Sequence, residues 1–322
     1  MTAKRVGAVL LALVLLGLTA CAGMPEKTEG MPSIGICFRQ ESNTGTAKLR
    51  QLLESALTRE GFQVYTADGK NDQTKQIEQI REMLEQGCGL LIVEPVQVSD
   101  AETVTDLLRQ AEVPAIFIGR EPDGEVLASW DRICFVGGDT AQPGLLQGQI
   151  ILDQPNRGDI NEDGIVSYIV LAGPEDDADA RLQADGCAKA LSLAGLETKL
   201  LTLEYCDWTA ESGRTLCAQA LAAYGVDIEV VFCGGDAIAL GAMQAISEGG
   251  WTVGQDMYLV GIGGDADALE AVLQGNLTGT VSGDIRGEAE KVLEVARLLM
   301  EDQPVESVNY VEPIKVTASG GN

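Results

Sequence analysis

Ile34-Gly35-Ile36-Cys37-Phe38 is a run of five residues without a charge, and an amphipathic stretch from Ala47 to Glu60 follows it. The same alternation then repeats. Phe62–Thr66, Gly89–Val93 and Ala115–Ile118 read as buried strands, with helices from about Gln73 to Gln86 and from Ala101 to Gln110 between them. A second cycle begins further on. Strands are expected at Ser167–Leu171, Lys199–Glu204, Val230–Cys233 and Tyr258–Gly261. Helices are expected over about Asp179–Ala194, Ala210–Ala223, Ala237–Glu248 and Ala266–Leu273. Continuous apolar strands separated by helices of about ten or more residues indicate parallel sheets covered on both faces. Two such cycles predict an α/β chain of two doubly wound parallel-sheet domains, with a ligand cleft between them.

Composition narrows the function. The chain has 322 residues, a formal charge of −27 and no histidine. Without histidine there is no Ser-His-Asp or Cys-His nucleophile system and no His-ligated zinc or iron site. The acidic balance excludes nucleic acid as a partner, because phosphate-backbone affinity rests on clustered lysine and arginine.

The N-terminus carries an address. Lys4 and Arg5 precede a short apolar run, Val6–Leu18, that ends in Leu18-Thr19-Ala20-Cys21. A charged segment followed by a brief apolar run reads as an export signal, and the run is shorter than the ~20 residues of a membrane span. The ending resembles a bacterial lipobox with Cys21 as the lipidated residue; the alternative is an ordinary secretory signal. Residues 1–21 are therefore assigned to a lipoprotein signal and 22–32 to a polar tether. That places the protein on the extracytoplasmic face of the cell membrane, held there through the Cys21 lipid. Seven cysteines remain, an odd number without metal-type spacing, and they read as free core thiols.

One motif has chemical content. Asp159-Ile-Asn161-Glu-Asp163-Gly164-Ile165-Val-Ser167 places oxygen side chains at loop positions 1, 3 and 5 and glycine at 6, and Ile165 can offer its carbonyl at 7. That is the first half of an EF-hand loop, which gathers hard oxygens around Ca2+. Position 12 is Val170, so the closing carboxylate must come from elsewhere. An Asx-rich turn without metal is the other reading.

The segment from Ile34 to about Val316 resembles the galactose/glucose-binding group of bacterial periplasmic substrate-binding proteins. The stretches that carry the likeness include Asn71–Gln76, Arg120-Glu-Pro122, Val136–Asp139, Asp159–Gly164, Asp177–Arg181, Trp208-Thr-Ala210, Ile228–Val231, Gly235-Asp236-Ala237 and Gly279-Thr-Val281. The resemblance implies a type I periplasmic binding protein with its two lobes joined by a three-strand hinge. The lobes would be residues 33–138 plus 284–310 and residues 139–283 plus 311–322, with crossovers near Gly137–Asp139, Val281–Asp284 and Tyr310–Pro313. It implies a calcium set of Asp159, Asn161, Asp163, the Ile165 carbonyl, Ser167 and Glu229. It also implies a monomer that captures a sugar or glycoside and hands it to an ABC permease, without being an enzyme.

The ligand site matches that family less well. Trp208 matches one of two stacking rings, and Asp177 and Arg181 match an acid and a cation. The first loop, with Arg39 and Asn43, holds no aromatic. Gly119, Gly235, Gly263 and Gly283 stand where Asn or Asp is usual, and Glu175 is nearest to an expected histidine. Arg120 and Asp236 complete the candidates, although Asp236 also reads as a helix cap. The expectation is an altered specificity in which free galactose is not a tight ligand, and Arg39, Arg120 and Arg181 face a larger or anionic one. Other readings are a sensor lipoprotein without transport and a scaffold that binds nothing. A carboxylate-pair glycosidase is disfavoured, because Glu175 and Asp177 lie on one segment instead of flanking a bond.

Overall fold

Apolar runs long enough to lose both faces to solvent become the centres of sheets, and two sheets form. The computed structural model describes residues 31–40 and 44–318. Cys21, most of the tether and Asn43 lie outside them. The first sheet takes β1 (Ser33–Phe38), β2 (Gln63–Asp68), β3 (Leu90–Val93), β4 (Ala115–Ile118), β5 (Ile133–Gly137) and β11 (Val308–Tyr310), in the order β11-β5-β4-β3-β1-β2. All its pairings are parallel. The second takes β6 (Ile165–Ala172), β7 (Glu197–Tyr205), β8 (Val230–Cys233), β9 (Tyr258–Gly263), β10 (Gly279–Ser282) and β12 (Ile314–Thr317), in the order β12-β10-β9-β8-β6-β7. Its pairings are parallel except for β12, the last edge strand, which runs antiparallel to β10.

Helices cover both faces. Around the first sheet lie α1 (Thr44–Arg59), α2 (Gln73–Glu85), α3 (Ala101–Gln110) and the short α4 (Gly124–Ala128). Around the second lie α5 (Gln142–Leu152), α6 (Ala178–Leu193), α7 (Ala210–Tyr224), α8 (Asp236–Glu248) and α9 (Ala266–Leu273). The last helix, α10 (Ile285–Met300), follows β10 but returns to the first sheet, where Val292, Val295 and Leu299 join Ile34, Ile36 and Leu53 in the core. The chain thus passes between lobes three times, at 138–141, 283–284 and 311–313. In both sheets the parallel strands send their C-terminal ends toward these crossings, which is where an open α/β sheet binds ligand.

The doubly wound expectation matches the structure. Sequence reading leaves α4, α5, α10, β5, β10, β11 and β12 unassigned, and α5 shows one reason. It carries Gly144 and Gly148, which lower helix propensity by ~1 kcal/mol each relative to alanine. Their value is in packing: a Cβ at Gly148 would fall on the Cys187 carbonyl of α6. The seven cysteines of the described residues are all buried and free. No helix among the described residues is long and apolar enough to cross a membrane.

Candidate functional site

Trp208 lies in the turn between β7 and α7, at the end of the second sheet. Its backbone is left-handed (φ 63°), a conformation that costs a bulky residue ~1 kcal/mol or more. The turn is held from both sides. Asp207 Oδ1 accepts from Thr209 N (3.2 Å) and Thr209 Oγ1 (2.6 Å), and Thr209 Oγ1 accepts from Ser212 N (3.2 Å) to cap α7. The indole lies on two glycines: a Cβ at Gly173 would sit 2.2 Å from Cη2 and Cζ2, and one at Gly235 would sit 3.2 Å from Cε3. Gly235 is therefore a seat for the ring. The indole remains 40% exposed.

A cavity of about 500 Å³ opens between the lobes, lined by Gly119, Arg120 and Glu121 from one side and by Pro174, Asp176, Asp177 and Asp179 from the other. A second chamber of about 230 Å³ lies toward the crossings and shares Gly119, Gly138 and Thr140 with it; Gly263, Gly283, Asp284 and Glu288 face it. Gly283 has open space where a Cβ would be, so the glycine does widen the chamber.

Several candidate residues are committed to the scaffold. Asp177 is the N-cap of α6, with Oδ1 accepting from Asp179 N (2.9 Å) and Ala180 N (3.2 Å). Burial, and then Asp177 itself, push the Asp179 carboxyl up. Arg181 donates to the carbonyl of Glu175 and is exposed, so it braces its own loop. Asp236 is buried: Oδ1 accepts from Thr280 Oγ1 (2.6 Å) and Oδ2 from Asp265 N (2.8 Å), tying α8 to the strands beside it. Gly263 leaves room for that carboxylate, since a Cβ there would lie 2.9 Å from Oδ2.

Arg39 pairs with Glu94, a residue that sequence reading missed. Glu94 Oε2 accepts from Arg39 N (3.1 Å), and Arg39 Nε stands 3.8 Å from Oε1. Arg120 Nη1 donates to the Val96 carbonyl (2.9 Å). Burial raises the Glu94 pKa, opposed by Arg39 and Arg120. Arg120 is nevertheless exposed and lines the larger cavity. Glu288 was missed as well; burial, Glu94 and Asp284 push its carboxyl up to about 7. Glu94 had a usable signal as the first polar residue after an apolar strand, whereas Glu288 sits one turn into an ordinary amphipathic helix.

Away from the cleft, the Asp159–Ser167 loop closes on Glu229. This side chain is 1% exposed; Oε1 accepts from Ile160 N (2.7 Å) and Asn161 N (3.1 Å), and Oε2 from Ser167 N (2.8 Å). Asp159 Oδ2 accepts from Gly164 N (3.0 Å), and Asp163 Oδ1 from Ile165 N (2.8 Å). Burial raises the Glu229 pKa against these three hydrogen bonds, and Asp159 raises it further. Among the described residues, no three acidic or cysteine side chains converge tightly enough to form a metal group by themselves.

A family model described as a periplasmic binding protein domain matches residues 34–304. The chain belongs to this family. Its members are substrate-binding proteins of ABC transporters, not enzymes. The chain is 24% identical to the D-galactose/methyl-galactoside binding periplasmic protein MglB of Haemophilus influenzae, over 82% of this chain and 80% of that one. It is 25% identical to the ribose import binding protein RbsB of Bacillus subtilis, over 87% and 88%. Among solved structures, an ABC transporter periplasmic solute binding protein from Actinobacillus succinogenes with bound D-allose superposes with a TM-score of 0.73 at 20% identity, covering 89% of this chain and 98% of that one. The likeness at that identity is one of fold.

Proposed function

We propose that this periplasmic binding protein captures a sugar or glycoside between its lobes and delivers it to an ABC permease. Lobe closure follows from binding, because a ligand that touches both walls stabilises only the closed state. The observation that carries the reading is the Trp208 indole, seated on Gly173 and Gly235 and still 40% exposed. An aromatic plate gives the apolar face of a sugar ring a surface, while surrounding acids hold its hydroxyls. The sugar ligands named for the relatives support the same class.

Specificity is altered relative to galactose binders. Gly119 and Gly283 offer no side chain where a hydroxyl would need one, and a site built for hydrogen bonds loses affinity steeply when they go unmade. Residues 33–138 plus 284–310 and 139–283 plus 311–322 act as the two moving bodies. Cys21 anchors the protein by lipid on the extracytoplasmic face.

The loop at 159–167 holds Ca2+ as a structural ion. Asp159, Asn161, Asp163, the Ile165 carbonyl, Ser167 and Glu229 would supply its oxygens. The fit rests on Glu229, a buried carboxylate that faces acidic Asp159. The ion would offset that charge and fix the entry into β6.

Thermal unfolding with a panel of mono- and oligosaccharides tests the function. At least one sugar is expected to raise Tm by several degrees, and D-galactose is expected to do less than that sugar. A flat panel would refute sugar capture; D-galactose as the strongest ligand would refute altered specificity.

A further inference from the structure

The larger cavity of the cleft takes its walls from different lobes. Gly119, Arg120 and Glu121 of the first lobe form one side, and Asp176, Asp177 and Asp179 of the second form the other. The first wall is braced. Gly119 turns with a positive φ (69°), and Arg120 N donates to the Ile118 carbonyl (2.7 Å). Arg120 Nη1 donates to the Val96 carbonyl (2.9 Å), and Tyr310 Oη donates to Glu121 Oε2 (2.9 Å). Tyr310 ends β11, just before the third crossing, so this wall is tied to the hinge.

The second wall is the start of α6. Asp177 is committed there as the helix cap. Asp179 is not: among the described residues its carboxylate accepts no hydrogen bond and joins no ion pair. Arg120 likewise has no ion-pair partner among the described residues. The two nevertheless act on each other, since Arg120 lowers the Asp179 pKa against burial and Asp177. Glu94, the other carboxylate on which Arg120 acts, is already engaged by Arg39. An exposed cation and an exposed carboxylate thus line one cavity from opposite lobes, without contact, across a gap that lobe closure narrows.

An interaction made in only one of two states shifts their populations by its full free energy. Exposed ion pairs are weak, so this one biases closure and does not lock it. Apparent affinity scales with the fraction of molecules competent to bind, so the bias reaches the ligand indirectly.

We propose that Arg120 and Asp179 form an interlobe latch, a salt bridge made when the lobes close, which sets how readily they shut; this rests on the lobe-closure reading above. Both are positioning residues, and neither has to touch the ligand.

The test reads closure without a ligand. Spin labels go on Glu125→Cys in α4 and Glu211→Cys in α7, both exposed and outside the latch. A Cys21→Ser background leaves only buried native thiols. Pulsed electron resonance then gives the closed-to-open ratio from the interlobe distances. Arg120→Glu and Asp179→Arg should each lower this ratio by about threefold or more, and Asp179→Asn by about twofold. The combined Arg120→Glu/Asp179→Arg swap should return it to within about twofold of the wild type. Raising NaCl from about 0.05 to 0.5 M should lower the ratio in the wild type and leave Asp179→Asn unchanged. A swap that stays as open as its single variants overturns the latch, because it shows general repulsion and not pairing. So does a ratio that no substitution moves, and sugar capture stands if D-ribose, D-galactose or D-allose still shortens the distance. A distance that neither the substitutions nor any of these sugars changes overturns lobe closure as well.

Discussion

The indole of Trp208 rests on the α-carbon of Gly173, so closely that a methyl group there would sit 2.2 Å from two ring carbons. The contact joins the end of β6 to the turn before α7 and fixes a ring that is 40% exposed. Gly173→Ala must push the indole off its seat. Overpacking of this kind costs about 1–3 kcal/mol, and at this rim the ring can move outward, so the lower end is expected. Tm should fall by only a few degrees, while sugar affinity drops by about tenfold or more. Calorimetry and thermal unfolding on one sample check the split; unchanged affinity would show that the seat does not matter.

The calcium loop makes a separate prediction. A ligand present at about 100 times its Kd stabilises the folded state by ~2.7 kcal/mol. EDTA should therefore lower Tm by several degrees, and added Ca2+ should restore it. Asp163→Ala should abolish the difference between the two conditions. An EDTA-insensitive Tm would identify the loop as an Asx-rich turn, held by Glu229 through the backbone.

Acid should stabilise the ligand-free protein. The Glu288 carboxyl is raised from 4.5 to about 7, so between those values the folded state binds a proton that the unfolded state has released. Stability then falls as pH rises through this window, by up to ~1.4 kcal/mol per pH unit for one group. Burial raises Glu94, Asp179 and Asp236 with the same sign. Tm of the apo protein should increase from pH 8 to about 6, and Glu288→Gln should flatten the rise. Scanning calorimetry at both pH values checks it; an identical pH slope in the variant would count against the chamber as described.

The thiols should be silent. Burial pushes Cys37, Cys134, Cys187 and Cys217 up to about 12 and Cys206 up to about 11. Because the thiolate is the reactive form, Ellman's reagent near pH 8 should label none of the seven in the native protein and all of them in guanidinium. Rapid native labelling at any of them would contradict the buried core.

What the sequence disclosed followed range. The 159–167 turn was legible because its Asp and Asn side chains are spaced to bond the local backbone, and strands such as Val230–Cys233 were legible because a charge-free run has few other fates. Trp208 was legible as a ring but not as a seated one, since Gly173 and Gly235 reach it through the fold. The partners of the arginines were not legible for a related reason. Residue type announces a cation, but the partner is chosen by packing, and Glu94 claims Arg39 from a neighbouring strand. Glu288 became visible only once α10 had crossed back over the hinge.

The central claim is capture between the lobes against the Trp208 plate. Isothermal titration of a saccharide panel into the wild type and Trp208→Ala tests it most directly. The account predicts at least one sugar with a Kd of about micromolar or tighter, weakened about tenfold or more in the variant while its fold is retained. Undiminished affinity in Trp208→Ala, or no sugar bound by the wild type, would contradict it.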